Sequence, residues 1–524
     1  MKHVIARILH ESSTALRNAG TGAGIVRCAT LQGVDPASPA HRPETRTSTR
    51  SSFARYEFHA ICGPALFLLS FFLIGVQAWA DQHPPNFVVI FCDDLGYGDL
   101  GSFGNPTIRT PHLDRMAEEG QKWTQFYSAD PVCTPSRAGL LTGRYPVRNG
   151  MSSVARGVLF PNSSGGLPQE EVTLAEMLKQ KNYATAAVGK WHLGHLPQHL
   201  PMTQGFDSYY GIPYSNDMDK VRGSANYQRN DPDFYPDTTH YNVPLLEGDR
   251  EIERPADQNT ITRRYTEKAV EFIQANRDRP FFLYLAHSMP HIPLFVEENF
   301  RGKSLRGLYG DVIEEIDWSV GQVLYTLREL DKTTVAVFSS DNGPWLSFKT
   351  HGGSAGPLRA GKGTNFEGGQ RVPTIFWGPG KIKPGPVDGM GSAIDLMSTF
   401  ASLAGVQPPN DRKMDSYDLS PALLGTGKSP RQEFFYWNRG VLHAVRSGPW
   451  KLHVQQREPI NYGKVVYLDK PELYNVEKDI SEAYDVADTH PDIVARLLEK
   501  LRKHELDAED SLPDQLKARI GDGE

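Results

Sequence analysis

The 524-residue chain is 39% hydrophobic and 23% charged, with a formal net charge of −6, 48 Gly, 38 Pro and 4 Cys. It is too apolar and too weakly charged to be disordered, and long enough for a large buried core. Its charge gives no reason to expect a nucleic-acid partner, and so few Cys exclude a disulfide scaffold.

Residues 1–80 read as a leader. Residues 1–60 carry its Arg without a sustained apolar period, Ile61–Val76 is apolar, and Ala78-Trp79-Ala80 puts small residues at −3 and −1. This layout predicts a secretory signal cleaved after Ala80. The apolar stretch contains Gly63, Pro64 and Gly75 and is short for a membrane span, so no integral membrane domain is expected after cleavage. The mature protein is expected in a periplasmic, extracellular or lysosome-like compartment. The lead-in exceeds a normal n-region, and no Met lies between Met1 and Met116, which points to a non-Met start downstream of Met1. Cleavage removes Cys28 and Cys62 and leaves Cys92, inside an apolar run, and Cys133.

Beyond the leader, Asn86–Cys92 is a continuous apolar run of the kind buried on both faces of a sheet, and it stops at Asp93-Asp94. Three further runs share the plan. Tyr183–Val188 leads to Lys190 and His192, Pro280–Ala286 to His287 and His291, and Thr333–Phe338 to Asp341-Asn342. Amphipathic helices are predicted between them, over Val172–Lys181, Asn259–Asn276 and Leu308–Leu330. Strands alternating with helices predict an α/β fold with a doubly wound, mixed but mostly parallel sheet flanked by helices. After Pro373 the pattern changes. A helix over Ile394–Ala404 and a polar connection over Pro408–Met414 are followed by strands over Glu433–Trp437, Val441–Arg446 and Trp450–Val454. A last helix is predicted over Asp492–His504. The division expected is a catalytic domain over 81–410 and a smaller C-terminal α+β subdomain, built on an antiparallel sheet, over 411–524.

Polar residues just past the carboxyl ends of parallel strands converge on one crevice. That rule brings Asp93, Asp94, Lys190, His192, His291, Asp341 and Asn342 to one edge. Asp93, Asp94, Asp341 and Asn342 offer only oxygen ligands, which suit a hard divalent cation such as Ca²⁺ or Mg²⁺. Carboxylates crowded together would repel, and a bound cation removes the repulsion. Taken singly, each pair could equally be a capped turn.

Cys133-Thr-Pro-Ser-Arg137-Ala-Gly-Leu-Leu-Thr-Gly143 narrows the field. This segment resembles the signature of the formylglycine-dependent sulfatase family. Gly189-Lys-Trp-His-Leu-Gly194, Gly211-Ile-Pro-Tyr-Ser215, Asp341-Asn-Gly-Pro344, Gly361-Lys-Gly-Thr364 and Gly425-Thr-Gly-Lys-Ser-Pro-Arg431 resemble its arylsulfatase A branch. The resemblance implies an alkaline-phosphatase-like fold and conversion of Cys133 to Cα-formylglycine by a maturation enzyme. It implies one Ca²⁺ on Asp93, Asp94, Asp341 and Asn342, with residue 133 and the substrate sulfate completing the shell. It also implies hydrolysis of aryl sulfates or sulfated carbohydrates, in which the hydrated aldehyde attacks sulfur to give a covalent sulfo-enzyme. Arg137 would orient the diol, Lys190 and Lys362 clamp sulfate, and Ser215 hydrogen-bond it. His192 would be the base that expels sulfate, and His291 the acid on the leaving oxygen. His291 is preferred to His287 because it lies in Pro290-His-x-Pro293; His287, His351 and His443 read as core or surface residues.

The alternatives are a phosphonate or phosphate monoester hydrolase of the same superfamily, and a non-catalytic binder of sulfated polymers if Cys133 stays a thiol. Substrate choice is expected to lie in loops such as 217–247 and 455–470. The sequon Asn162-Ser-Ser164 matters only in a glycosylating host.

Overall fold

Asn86–Cys92, the first apolar run after the leader, lies at the middle of a ten-stranded sheet. The computed structural model describes residues 84–231, 234–330, 333–458, 463–508 and 512–521. The strands of the large sheet, in chain order, are β1 (Asn86–Cys92), β2 (Gln121–Tyr127), β3 (Ala184–Gly189), β4 (Ser208–Gly211), β5 (Leu245–Glu247), β6 (Arg250–Glu253), β7 (Phe281–Ala286), β8 (Thr334–Ser340), β9 (Thr374–Trp377) and β10 (Gly385–Ser392). Across the sheet they run β10-β2-β9-β8-β1-β7-β3-β4-β5-β6. β8, β1, β7, β3 and β4 are mutually parallel, as are β10 and β2; β9 is antiparallel to both its neighbours, and β5 and β6 close the other flank as an antiparallel pair. The sheet is therefore mixed and mostly parallel, as the sequence pattern predicts.

Alternation along β1 feeds two helical layers. Val88, Ile90 and Cys92 pack with side chains from the helices Pro111–Glu119, Ile261–Ala275 and Leu308–Arg328. Phe87, Val89 and Phe91 pack with those from Cys133–Thr142, Leu174–Lys179 and Leu396–Ala404. Each such side chain, fully buried, contributes about 1.5–3 kcal/mol, and burial on both faces explains why the strand reads as an uninterrupted apolar run.

A second sheet, β11 (Glu433–Asn438), β12 (Val441–Ser447), β13 (Trp450–Arg457) and β14 (Val465–Asn475), is antiparallel in sequential order. Its Phe434, Tyr436, Leu452 and Leu473 share one cluster with Leu497 and Leu501 of the helix Pro491–Asp507 and with Tyr127 and Met390 of the large sheet.

Several boundaries differ from expectation for local reasons. The helix predicted from Val172 begins at Leu174 because Thr173 caps it: Glu176 N donates to Thr173 Oγ1 (3.2 Å), and Thr173 N donates to Glu176 Oε2 (2.8 Å). β2, β4–β6, β9, β10, β14 and the helix Pro111–Glu119 were not predicted. The segment 455–470, expected as a loop, is mainly the facing ends of β13 and β14, whereas 217–247 is largely irregular. The leader and its cleavage site lie outside the described residues. Among the described residues, no helix is long and apolar enough to cross a membrane.

Candidate active site

The parallel strands end on one edge, and the chain turns sharply there. Asp93 and Asp94 follow β1, Asp341 and Asn342 follow β8, Lys190 and His192 follow β3, and His291 lies five residues past β7. Ser215 comes from the loop after β4. Asp341 N donates to Cys92 O (3.0 Å) and Lys190 N to Ala286 O (2.7 Å), so each departing strand is tied to its neighbour. Asp94 (φ 66°) and His192 (φ 58°) adopt the left-handed region that non-glycine residues seldom visit. Cys133 is the first residue of the helix Cys133–Thr142, and it is buried.

The side chains converge closely. Ligand atoms of Asp93, Asp94, Cys133 and His291 all lie within 4.8 Å of one another. The Cys133 thiol donates to Asp93 Oδ1 (3.3 Å), and His291 Nε2 lies 3.6 Å from Asp94 Oδ2. Lys190 Nζ pairs with Asp93 and donates to Ser215 Oγ (3.1 Å), while Lys362 Nζ lies 2.7 Å from Asp94 Oδ1. Arg137 donates to Asp341 Oδ2 through Nε (3.0 Å) and Nη2 (2.8 Å), and through Nη1 to Lys190 O (3.0 Å) and Tyr284 OH (3.4 Å). Asn342 Nδ2 donates to Asp94 Oδ1 (2.7 Å), leaving Asn342 Oδ1 buried without a hydrogen-bond partner. His287 instead bonds Ser319 Oγ (3.3 Å).

Repulsion among the carboxylates is met by three side-chain cations, Arg137, Lys190 and Lys362, which the sequence had not shown to be their direct partners. Burial alone would raise the Asp93 pKa, but Lys190, His291, Arg137 and Lys362 hold it well below the usual carboxylate range. Asp94 is raised, burial outweighing Lys362. Asp341 is pushed to about 7 by burial and the Asp93 charge, against Arg137. Burial and then Asp93 push the Cys133 thiol well up, so the unmodified side chain is a neutral thiol and a poor nucleophile. Burial and Lys190 keep His192 neutral, as burial and Lys362 do His291.

The two imidazoles are oriented differently. His192 Nε2 is 2.9 Å from Leu159 O, so that nitrogen carries the hydrogen, and buried Nδ1, which has no partner, is the basic atom. His291 Nδ1 faces Asn216 Oδ1 (3.1 Å) and Ile292 O (2.5 Å), which leaves Nε2 toward the carboxylates. Leu159, Asn216 and Tyr284 were missed in the sequence; only Asn216, adjacent to Ser215, carried a positional hint. Asn438 of β11 was missed as well. Its Nδ2 donates to Gly363 O (2.9 Å) and Asn365 Oδ1 (3.0 Å), bracing the turn that carries Lys362, and Gly363 N donates to Pro131 O (2.9 Å) beside the Cys133 helix.

Comparison with known proteins agrees with this edge. The sulfatase family profile matches residues 85–406, and the profile for the C-terminal region of aryl-sulfatase matches 429–519. The chain is 41% identical to arylsulfatase A of Homo sapiens over 458 residues, covering 82% of this chain and 89% of that one. It is 43% identical to N-acetylgalactosamine-6-sulfatase of Mus musculus over 401 residues, 74% and 75% of the two chains. Among solved structures, PsFucS1 sulfatase from Pseudoalteromonas sp. superposes with a TM-score of 0.73 at 27% identity, over 86% of this chain and 96% of the other. Ps i-CgsB in complex with k-i-k-neocarrahexaose superposes at 0.69 with 30% identity, over 82% and 95%. The chain belongs to the sulfatase family and is a hydrolase of sulfuric esters.

Proposed function

We propose that this edge cleaves the sulfate ester of a carbohydrate or aryl alcohol, with one Ca²⁺ held by Asp93, Asp94, Asp341 and Asn342 and with Cys133 converted to formylglycine. The observation that carries the reading is the orphaned, buried Asn342 Oδ1, on a side chain whose Nδ2 is bonded to Asp94, itself within 4.8 Å of the Asp93 and Cys133 ligand atoms. A hard cation fits that oxygen set. When bound it supplies a Lewis acid for the sulfate oxygens, and residue 133, once converted, supplies an aldehyde hydrate as nucleophile.

The chain's own residues do the rest. With a divalent cation holding all three ionised, Asp93, Asp94 and Asp341 would balance Arg137, Lys190 and Lys362 one for one, and the edge would be left net positive toward an anionic ester. Lys190 and Lys362, relieved of their carboxylates, clamp sulfate oxygens, and Ser215, 3.1 Å from Lys190 Nζ, adds a hydroxyl. Arg137 fixes Asp341 and the Lys190 backbone, and in this reading orients the residue-133 hydrate. His192 accepts a proton at Nδ1. His291 delivers one from Nε2 to the leaving oxygen, the anionic ester favouring its protonated ring.

The sugar-bound relative Ps i-CgsB supports a carbohydrate ester as the natural substrate. The named relatives are sulfatases, which disfavours the phosphonate and phosphate alternatives. We extend the reading to an exported protein cleaved after Ala80, matured by a formylglycine-generating enzyme, with 81–410 as its catalytic part and 411–524 as its subdomain.

Mass measurement of the peptide spanning residue 133, from native-host protein, tests the modification, and an intact thiol there sinks it. Elemental analysis tests the ion, and stoichiometric zinc would overturn Ca²⁺. Parallel turnover of matched aryl sulfate and aryl phosphonate should favour the sulfate.

A further inference from the structure

Trp345 directly follows Asp341-Asn-Gly-Pro344, yet neither the metal set nor the sulfate clamp uses it. Its ring lies over Lys362 Nζ, 4.3 Å from the centroid, and 5.4 Å from the His291 ring. Lys362 and His291 are only 6% and 3% exposed, while the indole remains partly open. This inverts the usual order, in which the aromatic body is buried and the polar group meets solvent. The ring is well supported. Phe348 packs against it at 4.6 Å between centroids, Tyr227 against Phe348 at 5.8 Å, and Phe234 against Tyr227 at 5.2 Å. That aromatic row leads from the active edge into the irregular segment 217–247.

We propose that Trp345, backed by Phe348 and Tyr227, forms a subsite for the ring of the alcohol half of the ester. The inference rests on the reading of His291 as the acid and Lys362 as a sulfate clamp. The scissile oxygen then lies between these two groups, and the alcohol departs on the side where the indole stands. The ligand it fits is a six-membered ring with an apolar face, either the C–H face of a pyranose or an aryl face, bearing its sulfate on the ring or one carbon away. An acyclic alkyl sulfate has no face to offer.

The test compares wild type, Trp345→Ala and Trp345→Phe, all metal-loaded and converted at residue 133. Substrates are nitrophenyl sulfate, galactose 6-sulfate and ethyl sulfate, and inorganic sulfate serves as a competitive probe of the clamp alone. Trp345→Ala should raise KM for ring esters about 10-fold, and Trp345→Phe should restore most of the loss. Ethyl sulfate turnover and the sulfate inhibition constant should move less than about 2-fold. A loss confined to nitrophenyl sulfate, or to galactose 6-sulfate, supports the subsite and names its ring as aryl or pyranose. Sulfate inhibition weakened as much as ring-ester binding would mean that Trp345 only props Lys362, and would overturn the subsite. Equal losses on ring and acyclic esters, or no loss, would overturn it too. Wild type inert on all three esters would instead overturn the underlying assignment of the edge, a separate failure visible before any variant is made.

Discussion

Two buried charged clusters in this molecule are built on opposite terms. At the junction of the two sheets, Glu367 accepts from Tyr127 OH (2.6 Å), Tyr436 OH (2.8 Å) and Lys451 Nζ (3.0 Å). Glu482 accepts from Glu367 N (2.6 Å) and pairs with Lys451 (2.9 Å) and His453 (2.8 Å). Every carboxylate oxygen there is occupied. Burial would raise Glu367, but Lys451, Arg446 and Arg371 pull it far below the usual range. At the carboxyl edge, by contrast, charges balance but Asn342 Oδ1 and His192 Nδ1 are left without partners. Carboxylates bonded at both oxygens hold the fold at the junction, although His453 Nδ1 there has no partner, whereas the open amide oxygen at the edge is ready to take an ion.

The comparison can be broken by mutation. Cys133→Ala should cost about 10⁴-fold or more in nitrophenyl sulfate turnover while changing unfolding stability by less than about 1 kcal/mol in urea titrations. Glu367→Gln should do the reverse. Removing one partner of a buried pair costs about 3–5 kcal/mol, and turnover per folded molecule should stay near wild type; full stability would make the junction expendable. His291→Ala should slow galactose 6-sulfate about 10²-fold or more but nitrophenyl sulfate much less, because nitrophenolate departs without a proton. Equal losses on both would remove His291 from the acid role.

The smallest effect concerns pH. Glu315 has its pKa pushed up to about 8 by burial, and its Oε1 has no partner. That value lies above the unfolded one, so the stabilisation is complete below about pH 4 and is lost as pH rises through about 8. Between pH 6 and pH 8 stability should fall by about 2 kcal/mol. Glu315→Gln should flatten that slope in thermal melts, and an unchanged slope would assign it elsewhere.

The central strands were legible because burial on both faces writes an uninterrupted apolar run, as at Phe87–Cys92. Their polar followers were legible because parallel strands share an exit edge. β10, with the sequence Gly-Pro-Val-Asp-Gly-Met-Gly-Ser, was not: it carries turn residues and is a strand by virtue of pairing with β2. β14 contains Pro471, tolerable because this is an edge strand. In the site, residue types were legible but their partners were not. The Leu159 carbonyl that sets the His192 tautomer, the Tyr284 hydroxyl beneath Arg137 and the Asn438 amide at Gly363 come from distant segments, and local pattern says nothing about tertiary approach.

Asn438 has a consequence for recombination. Its amide spans from the region matched by the C-terminal profile to the Gly363 carbonyl, one residue past Lys362. A chimera that exchanges residues 429–519 for another family member's would keep the ligand set intact. It would still inherit a foreign brace for the lysine beside Asp94. Compatibility at that contact, and at the Glu367 contacts with Tyr436, Lys451 and Glu482 that cross the same boundary, would then bear on whether such hybrids are active.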